Sequence, residues 1–253
     1  MACVGGRPGA PHAGPARCRT VRLGHQRFPL GFVARHPRAL VEAALKCDSR
    51  FAHERLDGLR GVEIGGAAPQ GFGLDTINVD RADSDFYRRE QEEVVGWAMP
   101  VDVRADGDAL PFADDAHDFV LASHVIEHMP DPIAALQEWC RVAARYVFLV
   151  VPHRDRTFDR DRAVTPVQEL VDRHARGFRS DEDRHWSVWT CESFLELCAH
   201  VGLPVLEFQD PDDVGRNGFA VLLDASGATA PPGPRTRRPT PPRWRRPIIL
   251  GAG

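Results

Sequence analysis

The chain has 253 residues, 43% of them hydrophobic and 27% charged, with a formal net charge of −4. This composition supports a folded core of ordinary size and excludes a wholly disordered or fibrous chain. The longest apolar run, residues 146–151, is far shorter than the ~20 residues of a membrane-spanning helix, so no membrane span is expected.

In chain order, residues 1–30 carry five Arg and no acidic residue among many Gly and Pro, which predicts a basic leader without regular structure. Arg7, Pro8, Pro11 and Pro15 occupy the place of the apolar stretch of a secretory signal, so the cytoplasm is the expected compartment. Residues 31–227 read as one domain. Helices are predicted over residues 37–46 and 51–59, followed by a strand over 61–64 that runs into Gly65 and Gly66. A second strand, 76–79, ends on Asp80, and a charged helix follows over 83–95. Short apolar runs at 101–103 and 119–122 give the third and fourth strands. Past Asp131-Pro132, the positions Ile133, Leu136, Cys140 and Ala143 keep helical spacing. The fifth strand, 146–151, is apolar throughout, as at a sheet centre. Helices over 166–174 and 191–201, the latter capped by Thr190, precede two last strands at 205–208 and 219–223. Residues 228–253, rich in Pro and Arg, are expected to be a disordered tail.

This alternation of strands and helices predicts an α/β fold, a Rossmann-like seven-stranded and mostly parallel sheet with helices on both faces. The two basic arms leave the middle strongly acidic, which repels phosphate backbones, so nucleic acid is not expected as the main partner. Six cysteines without Cys-x-x-Cys spacing predict free thiols, with Cys191 and Cys198 on one helix face as small core residues.

In a parallel sheet, ligands bind beyond the carboxyl ends of the strands, where glycines let a ligand approach the backbone. Glu63-Ile64-Gly65-Gly66 ends the first strand in that way, without the spacing of a dinucleotide or nucleoside-triphosphate loop. Asp80, at the end of the second strand, is placed to accept hydrogen bonds from ribose hydroxyls. Then comes Asp106-Gly-Asp108-Ala-Leu-Pro-Phe, leading through Asp118-Phe-Val to His124-Val-Ile-Glu127-His128. With these residues the chain resembles the class I S-adenosylmethionine-dependent methyltransferases, in the branch with a type 11-like domain, over roughly residues 40–224. The resemblance implies a seven-stranded sheet with one antiparallel strand, and S-adenosyl-L-methionine as cofactor. It implies Glu63, Gly65 and Gly66 near the methionine part, Asp80 on the ribose, Asp108 and the backbone of Ala109 on the adenine, and Ser123 with His124 closing the pocket. Two departures from the family pattern stand out. Pro69, Gly71 and Gly73 interrupt the helix expected between the first two strands, and Val142-Ala-Ala-Arg145 replaces a Pro-Gly-Gly turn before the fifth.

His124-Val-Ile-Glu127-His128 also matches the H-x-x-E-H pattern of zinc peptidases. A strand leads straight into His124 and Pro130 and Pro132 break any helix beyond His128, so that context is wrong for a peptidase. Glu127 and His128 read equally as catalytic groups or as a hydrogen-bonded turn. After the fifth strand, a segment dense in Arg and Asp, 153–162, sits where acceptor loops lie. His153 is the leading candidate general base with Asp155 to orient it, His128 is the second, and mutual salt bridges are the alternative for the segment. A metal site from His153, Asp155 and His185 has loose spacing, and no metal is expected. Trp186 and Trp189 can wall an acceptor, face the sulfonium or pack in the core. The expected activity is methyl transfer to an oxygen or nitrogen of a small molecule or glycan-type acceptor. A methyltransferase-like scaffold without catalysis is the competing reading. Neither the acceptor nor the oligomeric state follows from the sequence.

Overall fold

The computed structural model describes residues 49–67, 72–81 and 98–226, short pieces at 88–89 and 91–93, and the backbone of 20–23 and 26–29. The helix expected at 37–46 and the tail at 228–253 lie outside the described residues, as does most of 83–95, whose described residues are helical. Inside the expected leader, β1 (Thr20–Leu23) and β2 (Gln26–Pro29) pair as an antiparallel hairpin, a departure from the structureless reading.

The main sheet has seven strands: β3 (Arg60–Ile64), β4 (Asp75–Asp80), β5 (Val103–Arg104), β6 (His117–Ser123), β7 (Ala143–Pro152), β8 (Val205–Gln209) and β9 (Gly218–Asp224). Their spatial order is β5-β4-β3-β6-β7-β9-β8, with β9 antiparallel to both of its neighbours and the other pairings parallel. The chain leaves β3 toward β4 and β5 on one side and returns through β6 and β7 on the other. The carboxyl ends of β3 and β6 therefore flank a topological switch point, where a ligand crevice opens.

Among the described residues, the helices with complete bounds that flank the sheet are α1 (Arg50–Leu56), α2 (Pro132–Val142), α3 (Val167–Ala175) and α4 (Cys191–His200). Strand alternation assigns side chains to two faces. Val62, Val120, Val147, Leu149 and Val221 are buried with α2, α3 and α4, while Phe119, Leu121, Phe148 and Leu222 are buried with Phe51 and Leu56 of α1. Gly61 is needed on β3 because a Cβ there would lie 2.3 Å from the Phe119 ring. Asp131 caps α2 by accepting from the Ala134 N–H at 3.0 Å, and Pro132 opens the helix, since a first-turn residue needs no amide hydrogen. No turn separates α2 from β7: Ala143 both caps the helix and begins the strand. Thr190 and Ser193 form the capping box of α4. Cys140, Cys191 and Cys198 are free and buried. Among the described residues no helix is long and apolar enough to cross a membrane.

Candidate active site

β3 ends against its neighbour and turns on Gly65, whose φ of +64° and a would-be Cβ 2.9 Å from Val125 Cγ2 both require glycine. Asn78 of β4 then fastens the next residue. The Gly66 N–H donates to Asn78 Oδ1 at 3.0 Å, and Asn78 Nδ2 donates to the Gly66 carbonyl at 3.2 Å and to that of Pro100 at 3.0 Å. Glu63 is buried beneath this turn and accepts from Thr76 Oγ1 at 3.0 Å. A Cβ on Gly66 would meet Asn78 Oδ1 at 2.6 Å and Glu63 Cδ at 3.0 Å, so the turn needs two glycines for two different contacts.

At the end of β4 the Asp80 carboxylate accepts from the Arg81 N–H at 2.7 Å. Burial nonetheless pushes its pKa upward, against the pull of that N–H and of Arg81 and Arg104. Past β5, the Ala109 N–H donates to the Asp106 carbonyl at 3.1 Å and closes a turn that carries Asp108. α2 braces this loop from behind. Trp139 Nε1 donates to the Gly107 carbonyl at 2.7 Å, the Leu110 N–H donates to Glu138 Oε1 at 2.8 Å, and Arg141 Nη1 donates to the Phe112 carbonyl at 2.9 Å.

Together these ends enclose a cavity of about 670 Å³. Of the expected cofactor residues, Glu63, Gly65, Gly66, Asp80, Asp108, Ser123 and His124 line it. Ala109 does not, and its N–H is already engaged by Asp106, which removes the donor expected there. The opposite wall is a stretch that the sequence analysis does not single out: Arg179, Asp181 and Asp183. Arg179 Nε lies 3.6 Å from Asp108 Oδ2 and its Nη1 lies 3.5 Å from Asp131 Oδ2, which ties this wall to the loop and to the cap of α2.

The segment after β6 is a short 3₁₀ turn, Ile126–His128, preceded by His124 in left-handed conformation at φ +54°. Glu127 is fully buried there, and burial, aided by Asp159, pushes its pKa up to about 8 while its own N–H pulls the other way. His128 lines the cavity, and its Nδ1 meets Asp183 Oδ1 at 2.8 Å. Burial and the neighbouring His185 and His124 push its pKa down to about 4, so the ring is neutral at neutral pH.

His153 and Asp155 do not form the expected acid–base pair and do not line the cavity. His153 Nδ1 accepts from the Asp155 N–H at 3.1 Å and so caps the turn Arg154–Arg156, a local side-chain-to-backbone bond that uses its free lone pair. The Asp155 carboxylate goes to Arg154 at 2.7 Å, and Asp159 holds Arg162 at 2.6 Å, so the segment's charges satisfy one another. Trp189 is buried edge-on against Phe194, whereas Trp186 packs on Phe178 under the Arg184 guanidinium. Neither lines the cavity.

Residues 68–151 match the methyltransferase domain family. The match begins just past the glycine turn and takes in Asp80, Asp108, Ser123, His124 and His128. An uncharacterized methyltransferase of Mycobacterium leprae (strain TN) is 58% identical over 40 residues, which is 16% of this chain and 15% of that protein. Another, from Mycobacterium sp. (strain KMS), is 34% identical over 135 residues, 49% of this chain and 52% of the relative. The chain thus spans about half the length, or less, of the curated relatives it matches. Among solved structures, a SAM-dependent methyltransferase of Thermotoga maritima, described as a possible histamine N-methyltransferase, aligns with a TM-score of 0.46 and 18% identity over 77% of this chain and 96% of that one. The domain match falls on the central strands of the sheet, so residues 68–151 are similar to a methyltransferase domain. S-adenosyl-L-methionine is the cofactor that goes with this similarity, and the site fits that group: the cavity has the volume usual for small-ligand sites, roughly 300–1,000 Å³, and two glycines leave backbone open on its wall.

Proposed function

We propose that this chain transfers a methyl group from S-adenosylmethionine to an oxygen or nitrogen nucleophile of a small-molecule or glycan-type acceptor. The observation that carries the reading is the cavity at the switch point, where Asp80 and Asp108 stand on successive strand ends beside the Gly65-Gly66 turn. The cofactor's sulfonium supplies an already activated methyl group. The protein's share is then alignment of the acceptor and exclusion of water. Asp80 would accept from the ribose hydroxyls, Asp108 from the adenine amino group, and Gly65 and Gly66 would leave room for the methionine end over Glu63. Ser123 and His124 would close the pocket at the end of β6. On the acceptor side, His128 is the candidate to take a proton from a hydroxyl, because its ring is neutral and lines the cavity. An amine with a free lone pair would need no such base. His153 and Asp155 are left with a structural role in this reading. The acidic middle of the chain favours a small acceptor over nucleic acid.

Thermal unfolding of the full chain with S-adenosylmethionine and S-adenosylhomocysteine tests the reading. A ligand at 100 times its dissociation constant stabilises by about 2.7 kcal/mol, which raises the midpoint by a few degrees in a domain of this size. The expected result is a rise with both. A folded chain that responds to neither is the non-catalytic scaffold instead.

A further inference from the structure

The Glu127 carboxyl group has 0% exposure, and among the described residues neither of its oxygens has a hydrogen-bond partner on another residue. The ionised form of a group so buried is strongly disfavoured unless a cation meets it. Three imidazoles surround the same oxygen. His124 Nδ1 lies 3.7 Å from Glu127 Oε1, His128 Nε2 lies 3.9 Å away and His185 Nε2 lies 4.0 Å away. All three separations are too long for hydrogen bonds. They are close to the spacing of ligands around an ion, since two donors at 2.0–2.1 Å on a tetrahedral centre sit about 3.3 Å apart.

His128 and His185 are also posed alike. Each turns Nε2 toward Glu127 and gives Nδ1 to a carboxylate, Asp183 at 2.8 Å for His128 and Asp159 at 2.5 Å for His185. A carboxylate behind the far nitrogen is the usual means of fixing the tautomer and angle of a metal-binding imidazole. Asp159 is itself buried and anchored by Arg162 Nη1 at 2.6 Å, so the His185 pose is held from two residues back. The ligand atoms of Glu127, His128 and His185 all lie within 4.8 Å of one another.

We infer that Glu127, His128 and His185 form a binding site for a divalent first-row transition metal, with Asp183 and Asp159 positioning the two rings. Two imidazoles and one carboxylate suit zinc, iron or nickel and do not suit calcium or magnesium, which take oxygen donors. Three protein ligands leave a coordination position open, the arrangement of reactive rather than purely structural sites. His124 Nδ1 is near enough to approach that position or to bond a water in it. Because His124 and His128 also line the cavity, the ion would stand at its wall. With an ion bound, His128 gives Nε2 to it and cannot also take an acceptor's proton, so the base role proposed above belongs to the metal-free chain alone; any role of the ion toward an acceptor oxygen rests on the methyl-transfer reading, and the binding itself does not. The His124-to-Glu127-to-His128 spacing thus supplies two ligands on a 3₁₀ turn, and the third comes from the segment beyond α3, in place of the loose His153, Asp155 and His185 set.

The test is metal content of the full chain after stripping with a chelator and dialysis against Zn²⁺, and the visible spectrum after loading with Co²⁺. One zinc per chain is expected, with cobalt d–d bands of a four- or five-coordinate site. His185→Ala and Glu127→Gln should abolish both signals, and Asp159→Asn should weaken zinc by about 10–100-fold through the ring it positions. Circular dichroism and unfolding midpoints identify any variant that has lost its fold, and the wild-type stoichiometry stands without the variants. Substoichiometric zinc on the wild-type chain, or full zinc on a folded His185→Ala chain, overturns the proposal. Calorimetry of S-adenosylhomocysteine on the same samples separates the two readings: zinc without nucleoside binding sinks only the cofactor pocket, and nucleoside binding without zinc sinks only the metal site.

Discussion

Burial raises the pKa of Asp80, so its surroundings in the fold disfavour the ionised form relative to the unfolded chain. Such a residue serves something other than stability. The sign follows from its direction of shift: with the folded-state pKa above the unfolded one, the native state binds the proton more tightly, and the penalty sets in as pH rises past the usual carboxylate range. Asp80→Asn is therefore expected to match or exceed the wild-type unfolding free energy at pH 7, with the difference vanishing below about pH 4, where both forms are neutral. Urea titrations across pH check this. Calorimetry on the same variant should give S-adenosylhomocysteine affinity reduced by roughly tenfold or more, because in the proposed site a carboxylate that would accept from both ribose hydroxyls is replaced by a neutral amide with a single acceptor oxygen. That Asp80, Asp108 and the Gly65-Gly66 pair line one cavity was legible from sequence, Asp80 and the glycines from their places at strand ends and Asp108 through the family resemblance. Asn78 was not. Its two bonds to Gly66 join neighbouring strands, and nothing in the run Thr76-Ile-Asn-Val79 distinguishes it from an ordinary strand residue. His153 shows the reverse error: an Arg/Asp-rich loop suggested chemistry, whereas its lone pair is spent on the backbone two residues later.

At the scale of elements, α2 does more than cover the sheet. Its Trp139, Glu138 and Arg141 reach the loop that carries Asp108, so that side of the pocket is only as rigid as the helix. Trp139→Phe keeps most of the buried ring and removes the bond to the Gly107 carbonyl. It should cost about 0.5–1.5 kcal/mol of stability by chemical denaturation, and lower S-adenosylhomocysteine affinity while leaving the number of sites unchanged. Unchanged affinity would show that the loop holds its shape without α2. The helical spacing of Ile133, Leu136 and Cys140 and the cap at Asp131 made α2 readable to within a residue. Thr190 did the same for α4. Where the pattern was too short it failed. β5 has two residues and falls at Val103–Arg104 rather than 101–103, and α1 stops at Leu56, before the expected 59. The β1–β2 hairpin has four-residue strands within a Gly- and Arg-rich stretch, which carries no alternation strong enough to announce a strand.

For the whole molecule, the order β5-β4-β3-β6-β7-β9-β8 brings the ends of β3, β4 and β6 to one crevice and sends the chain back as the 179–183 wall opposite them. The seven-strand count was expected from the alternation of apolar runs with helical spacing, and the single antiparallel strand from the family resemblance. The closure of the site was not, because His185 meets Glu127, and Asp159 meets His185, only through the tertiary fold. A buried carboxylate flanked by three histidines has no signature in one dimension beyond the H-x-x-E-H fragment, whose helical context is absent. The central claim is that this crevice holds the cofactor, and hydrogen–deuterium exchange with and without saturating S-adenosylhomocysteine tests it most directly. Slowed exchange is predicted at 63–67, 79–81, 105–109 and 123–129, and along 179–183 if that wall closes on the ligand. No ligand-dependent protection in a folded chain, or protection confined to other segments, would contradict it.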